Sequence, residues 1–439
     1  MLKTLRNAFK IKDIRDRIFF TFFMLIVIRI GSQLPVPGVN RDVFLEWFSG
    51  RSGDAFSFFD AITGGSFEQM SIFALNITPY ITSSIIMQLL TIAIPKLEEM
   101  QKDGEEGRKK IAEITRYVTV GLALIESVAL AVSFGRSGYL TNYNALSVIT
   151  VVATLTAGSA VLMWIGERIT EKGIGNGISI VLVINIISRL PEDLSVLYQQ
   201  FIAGQSIPAR AVLSAVVILA IIVAMVVFVI VLQDAERKIP VQYSKRIQGR
   251  KQVGSQSTHI PLKVNTGGVV PVIFAQSLMQ TPVIIASLLG KGDGTGIASK
   301  ILKGLSQSNW CDPSQPVYSI GLVIYIALII AFAYFYTSIT FNPLEIANNM
   351  KKQGGFIPGI RPGKPTSDYL TKILTYIVFI GAVGLSIVAF MPIFFSGVFK
   401  ANVSFGGTSI IIIVGVIIET IKQIESQMLV RYYKGFLND

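Results

Sequence analysis

The chain has 439 residues, of which 51% are hydrophobic and 15% charged, and its mean hydropathy is +0.59. This composition excludes an ordinary soluble domain. The formal net charge of +12 is compatible with a nucleic-acid partner, but the basic cytoplasmic loops of a membrane protein account for most of it. Cys311 and His259 are the only residues of their types. A single cysteine excludes a disulfide framework and a Cys-based metal site, and a single histidine nearly excludes His-ligated metals and His-dependent triads.

Apolar stretches of roughly twenty residues, the length that a helix needs to cross about 30 Å of hydrocarbon, recur along the whole chain. Backbone N–H and C=O groups find no water partners in lipid, so these stretches must be helical. We predict an all-α polytopic membrane protein with ten transmembrane helices, at about 18–34, 71–94, 115–135, 146–166, 177–190, 211–232, 269–289, 318–339, 370–394 and 408–429.

Most of the 39 Lys and Arg residues fall in the two tails and in the even-numbered gaps between spans, whereas Asp and Glu do not segregate. This positive-inside pattern places both ends of the chain in the cytoplasm. The first span follows a basic tail, as a signal peptide would, but it ends in Gly31-Ser-Gln-Leu-Pro35 without a small-x-small cleavage site. We therefore expect the first span to be retained.

The spans divide into two sets of five, and an odd number makes the two sets enter the membrane in opposite directions, as in inverted-repeat proteins. Residues 1–172 hold spans one to four, and residues 173–210 hold the fifth span and the loop that follows it. Residues 211–439 form the C-terminal half, with spans six to ten. Internal sequence similarity is not visible, so this division rests on topology.

Residues 55–70 are apolar but too short to cross a membrane. Gly64-Gly65 interrupts this segment, which ends with Ser-Phe-Glu-Gln-Met70. Such a segment is either re-entrant or lies on the outer surface, and its residues favour neither reading. Irregular backbone at membrane depth must be buried in protein or line an aqueous cavity. A re-entrant segment would therefore indicate a pore or a binding cavity.

The chain offers little catalytic chemistry. It has no Gly-x-x-x-x-Gly-Lys-Ser/Thr loop, and Gly173-Ile-Gly-Asn-Gly177 lacks the spacing of a dinucleotide fingerprint. Ionisable residues inside the spans are few, with Arg29, Glu126 and Glu419 the notable ones. A structural hydrogen-bonding role for Glu126 is at least as plausible as ion coupling. An inverted-repeat transporter of a small solute is the strongest rival class, and a membrane-embedded enzyme is more distant.

Two basic gaps, 233–268 and 340–369, are too long for simple connections and indicate either docking surfaces or solvated tethers. Ile77 and Ile81 share one helix face at i and i+4. Such a stripe is ordinarily core packing, although an aliphatic constriction beside a re-entrant segment can also gate a pore.

Several motifs occur in order along the chain, and together they cover about residues 12 to 433. They are Leu34-Pro-Val-Pro-Gly-Val39, Ser71-Ile-Phe-Ala-Leu-Asn-Ile-Thr-Pro-Tyr80, Gly173-Ile-Gly-Asn-Gly-Ile-Ser179, Tyr243-Ser-Lys-Arg-Ile-Gln-Gly-Arg-Lys251, Gln256-Ser-Thr-His-Ile-Pro-Leu-Lys-Val-Asn265, Phe341-Asn-Pro343 and Gly359-Ile-Arg-Pro-Gly363. In these motifs and their order, the sequence resembles the bacterial members of the SecY/Sec61 alpha family of protein-conducting channels.

The resemblance implies two five-helix halves around a central pore, hinged at the loop between spans five and six. It implies a re-entrant plug helix at about 58–70, for which we single out Phe59, Ile62, Gly64, Gly65 and Phe67. The pore ring would comprise Ile77, Ile81, Leu182, Ile273 and Ile412. Leu182 replaces the usual isoleucine but keeps the surface aliphatic.

The resemblance also implies a lateral gate between spans two and seven, with three and eight alongside, whose polar cluster is Thr82, Glu126 and Gln276. The basic loops would dock the ATPase SecA, where Arg361 matches a critical arginine, or the ribosome through its rRNA, where Arg246 and Arg250 match contacting positions. Lys251 would belong to the same docking set. SecE would clamp the halves and SecG would lie at the periphery. Without a cofactor, the channel would pass unfolded secretory polypeptides across the bacterial plasma membrane and release signal peptides and membrane segments of nascent chains into the lipid.

Overall fold

The computed structural model describes residues 9–49, 60, 63–203, 208–243, 247–248, 251–252, 257–288, 296–311, 315–399 and 407–435. Long helices dominate this part of the chain. In the N-terminal half they are α1 (Lys12–Gly31), α2 (Arg41–Ser49), α3 (Thr78–Ala93), α4 (Pro95–Lys102), α5 (Glu105–Arg136), α6 (Ala145–Lys172) and α7 (Gly177–Tyr198).

The C-terminal half combines further long helices with short strands. Its helices are α8 (Pro208–Asp234), α9 (Val270–Leu288), α10 (Ile297–Leu305), α11 (Ile320–Thr340), α12 (Pro343–Lys352), α13 (Lys364–Phe399) and α14 (Gly407–Gly435). The strands are β1 (Glu236–Tyr243), β2 (Ile247–Gln248), β3 (Lys251–Gln252), β4 (Ser257–Lys263) and β5 (Gly355–Phe356).

Each of the ten predicted spans coincides with a helix, namely α1, α3, α5, α6, α7, α8, α9, α11, α13 and α14 in chain order. By length and composition, five helices in the described part of the chain can cross a membrane, or six if α3 and α4 form one span bent by 107°. Charged residues keep some helices below this threshold; α7, for instance, carries Arg189, Glu192 and Asp193. The structure therefore shows several apolar helices, and the ten-span prediction goes beyond that count.

The predicted start of the second span at residue 71 is wrong, because residues 71–77 form a succession of turns and α3 begins at Thr78. Two non-glycine residues with positive φ bracket this segment, Met70 at 46° and Asn76 at 53°. A helix cannot run through such positions. The turns pack closely on α6, since a Cβ at Gly158 would lie 2.0 Å from the carbonyl oxygen of Ile72.

The all-α prediction requires a correction in the two basic loops, which form a small antiparallel sheet in the order β4-β1-β5. In β1, Ile239 and Val241 are buried while their neighbours are exposed, the alternation expected of a strand. β5 pairs with the end of β1, placing Phe356 opposite Gln242. The two loops therefore form one folded unit. His259 lies exposed on β4 opposite Pro240.

The sheet has its own apolar core. Buried side chains of the strands pack with residues of α12 and α13 in one cluster of Ile239, Val241, Leu262, Met350, Ile357, Leu370 and Ile377. Because this core includes Ile377 on α13, the sheet is fixed to that helix. The two basic loops are therefore not solvated tethers where the structure describes them.

The two halves meet where helices of one contact helices of the other. α14 packs against α7, and α9 contacts α5. Within the halves, α5 packs against α3 and α6, and α11 packs against α9 and α13. The α7–α14 contact brings the fifth and tenth predicted spans together and sets the position of the candidate site.

Candidate pore, plug and lateral gate

Four of the five predicted pore residues lie in one apolar cluster where α7, α14 and the start of α3 converge. Ile77, Leu182 and Ile412 are buried members of the cluster, and Ile81 packs against it half-buried. These side chains come from segments more than one hundred residues apart in sequence. Aliphatic side chains offer neither charge nor hydrogen bonds, so a surface made of them can close against itself and keep out water.

Ile273, the fifth predicted residue, lies outside this cluster and is half-buried on α9. One helical turn before it, Val269 packs against the cluster. The structure therefore brings four of the predicted residues together and places the fifth one turn further along α9.

Asn76 fixes the local geometry at Ile77. The positive φ of Asn76 turns the chain into α3, and its side-chain oxygen accepts a hydrogen bond from the Ile77 backbone N–H at 2.8 Å. Asn tolerates this left-handed conformation because its short polar side chain can bond locally. Ile77 therefore lies in the apolar cluster directly after a sharp turn, which the Asn76 side chain stabilises by its hydrogen bond.

The predicted gate residues lie on three helices, with Thr82 on α3, Glu126 on α5 and Gln276 on α9. α5 contacts both α3 and α9, the two helices of the predicted gate. The buried Gln276 amide donates to the side-chain oxygen of Gln307 at 3.0 Å. Gln307, which was not among the predicted site residues, lies in the short 3₁₀ helix Gln307–Asn309.

Part of the predicted plug is visible as a compact turn packed against the N-terminal half. Phe67 is fully buried and lies edge-on to Phe44 of α2, with ring centroids 5.7 Å apart. Gly64 and Gly65 adopt positive φ angles of 68° and 81°, which favour glycine. The other two predicted plug residues, Phe59 and Ile62, lie outside the described residues.

A buried ion pair joins this segment to α7. Asp60 of the plug segment contacts the Arg189 guanidinium, and Glu68 lies 3.4 Å from the same group. Arg189 was not among the predicted site residues, although it falls just inside the predicted fifth span, before Leu190-Pro191. An arginine near the end of an apolar span was the available signal.

The predicted docking residues are only partly described. Lys251 lies in β3, opposite Gln248, whereas Arg246 and Arg250 lie outside the described residues. Arg361 is exposed in the turn before α13, between Gly359 and Gly363, which both have positive φ. Its carbonyl oxygen accepts a 2.8 Å hydrogen bond from the Thr366 hydroxyl, which fixes the turn.

Within the part of the chain that the structure describes, no group of three or more His, Cys, Asp or Glu side chains could hold a metal ion. Cys311 is half-buried, and burial raises the pKa of its thiol. A thiol that stays protonated at neutral pH is a poor nucleophile.

The arrangement resembles known structures along nearly its whole length. A solved protein-conducting channel is 20% identical, with a TM-score of 0.65 over 94% of this chain and 93% of that one. Sec61 in the canine ribosome-channel complex from the endoplasmic reticulum is 19% identical, with a TM-score of 0.63 over the same shares of the two chains. The yeast Ssh1 complex bound to the 80S ribosome gives 17% identity and a TM-score of 0.60, over 95% and 89%. The fold is therefore that of a helical protein-conducting channel.

Sequence comparisons identify the family. Residues 71–421 match the SecY family model. The chain is 45% identical to protein translocase subunit SecY of Halalkalibacterium halodurans and 44% identical to that of Bacillus subtilis, and in both comparisons the two chains are covered completely. The chain belongs to the SecY family of protein translocase subunits.

The assignment of the pore ring can be tested with Ile412→Asn. A buried amide without a hydrogen-bond partner is costly and attracts water. We expect a resting ion leak in proteoliposomes about tenfold above that of the unchanged chain, equivalent to ~1.4 kcal/mol. We also expect transport of precursors with defective signal sequences.

The matched control is Ile417→Asn, which makes the same substitution on α14 at a side chain exposed on the outside of the fold. If both variants leak equally, or if Ile412→Asn leaves the leak and the signal stringency unchanged, Ile412 does not belong to a sealing ring.

Proposed function

We propose that this chain is the pore-forming subunit of a bacterial translocase and passes unfolded polypeptides between its two halves. The supporting observation is the convergence of Ile77, Ile81, Leu182 and Ile412 in one apolar cluster between α3, α7 and α14. The ten helices that match the predicted spans would each cross the membrane, with both ends of the chain in the cytoplasm. The turn at 63–70 would be the end of a plug on the outer side.

The transport mechanism follows from the chemistry of the cluster. Aliphatic side chains make no hydrogen bonds that a passing chain must break, so passage tolerates any sequence. Since the sequence shows no nucleotide-binding loop, the driving force comes from a partner, either the ATPase SecA or a translating ribosome. The chain itself acts as a gated conduit.

Lateral release would take place between α3 and α9, with α5 and α11 alongside. An apolar signal segment that leaves the pore for lipid gains about 0.8 kcal/mol for each buried CH₂ group. The Gln276–Gln307 hydrogen bond lies beside this route. Thr82 and Glu126, on the neighbouring helices, would complete the polar part of the gate.

The sheet unit supports the docking proposal, because it holds both basic loops in one fixed body. Exposed cations of this unit include Arg237, Lys238 and Arg361, and guanidinium groups bind phosphates and carboxylates bidentately. Sec61 and Ssh1, two structural neighbours, occur in ribosome complexes. SecA and the ribosome are therefore the partners that we propose for this face, with SecE clamping the halves, SecG at the periphery and the plasma membrane as the location.

Reconstitution into proteoliposomes tests the proposed function. With SecA and ATP, vesicles that contain the chain and its SecE partner are expected to protect an unfolded secretory precursor from added protease. Saturable uptake of a small solute without precursor transport would instead favour the rival inverted-repeat transporter. Vesicles without the chain control for leakage of the precursor.

Charge reversal at Arg361 tests the docking proposal. Arg361→Glu is expected to lower SecA-driven transport at least about tenfold, the equivalent of ~1.4 kcal/mol of binding or activation, because a bidentate cation becomes a repelling anion. Ribosome-coupled insertion should fall less. Lys352→Glu, at an exposed position on α12 of the same unit, is the matched control. Equal losses in both pathways would contradict a separate role for Arg361 in SecA docking.

A further inference from the structure

We propose that Arg189 is the residue that positions the plug in the closed channel, by pairing with Asp60 and Glu68. This assignment rests on the proposed channel function and adds a specific positioning residue on α7. Both carboxylates lie in the segment before α3, more than one hundred residues from Arg189 in sequence, so their meeting is a product of the fold.

The ion pair is buried. The Asp60 side chain is 0% exposed and that of Arg189 is 14% exposed, while Glu68, at 23%, lies towards the edge of the site. A charge withdrawn from water is tolerated in a protein when an opposite charge and hydrogen bonds compensate for it. The ion pair therefore stabilises only the arrangement in which residues 60–68 lie against α7, because the two charges meet there.

Asp60 also organises the segment internally. One of its carboxylate oxygens accepts hydrogen bonds from the Glu68 backbone N–H at 2.8 Å and from the Thr63 hydroxyl at 3.3 Å. Its backbone carbonyl accepts from the Gly65 N–H at 3.3 Å and from the Thr63 hydroxyl at 3.1 Å. The same residue thus holds the turn together and connects it to Arg189.

The backbone of the segment docks on the same stretch of α7. A Cβ at Gly64 would lie 2.5 Å from the carbonyl oxygen of Asn185, so only glycine allows this approach. The Ser188 hydroxyl donates to the Gly64 carbonyl oxygen at 3.3 Å. Asn185, Ser188 and Arg189 stand at i, i+3 and i+4 and so present one face of the helix. That face forms a docking site for the plug.

Two kinds of contact hold the segment, and they respond differently to movement. The aromatic contacts of Phe67 can be exchanged for other apolar contacts. Moving Asp60 away from Arg189 instead separates two buried charges, and each must then find water or another partner. We therefore assign to Arg189 the preference for the closed position.

Substitutions that remove the charge test the assignment in the full chain with its partners in proteoliposomes. Arg189→Gln and Asp60→Asn are each expected to raise the resting ion conductance about tenfold, equivalent to ~1.4 kcal/mol. Each should also admit precursors with defective signals while keeping transport of an intact precursor. Arg189→Lys, which keeps the charge, should restore most of the resting seal. Because the two residues act as one pair, the double variant should leak no more than the leakier single variant.

Arg136→Gln, at an exposed position in the last turn of α5, is the matched control. The assignment is overturned if Arg189→Gln leaks no more than Arg136→Gln, or if the leaks of the two single variants add in the double variant. If Arg189→Gln does not accumulate in the membrane, Asp60→Asn decides by the same comparison. A wild-type chain that transports no intact precursor would instead contradict the proposed function, which the same assay reports separately.

Discussion

The apolar contact of α14 with α7 and the start of α3 is the interaction on which the rest of the structure depends. It joins the two halves through side chains such as Ile412, Leu182 and Ile77. Separating these side chains exposes apolar surface but breaks no hydrogen bond between them. A buried donor or acceptor left without a partner would cost more free energy. A contact of this kind can close tightly and still separate around a polypeptide of any sequence.

The other contacts set the limits of that separation. At the proposed plug, a buried ion pair and a glycine packed on the α7 backbone favour a single arrangement. In the sheet unit, an apolar core fixes the basic loops to α12 and α13. The molecule thus combines an apolar contact between its halves with specific polar contacts at the proposed plug and a sheet that is fixed to its helices.

The helices could be predicted from the sequence because lipid imposes a length and excludes polar backbone. The sheet could not, since Pro240 and Pro261 lie inside β1 and β4, where proline normally argues against a strand, and β5 comes from the other loop. The start of α3 was misplaced because the apolar sequence continues through residues 71–77. These residues form turns, and the helix begins only at Thr78. Four of the predicted pore residues, which followed from family resemblance, lie in one apolar cluster. Arg189 was not predicted because its partners are distant in sequence.

Cross-linking of a stalled substrate tests the path through the apolar contact most directly. In a Cys311→Ser background, single cysteines would be introduced as Leu182→Cys, Ile412→Cys and, on the exposed side of α14, Ile417→Cys. A precursor arrested halfway, with one cysteine at its midpoint, is predicted to form disulfides with the first two variants and not with the third. Equal cross-linking to all three, or cross-linking to Ile417→Cys alone, would contradict a path between the halves.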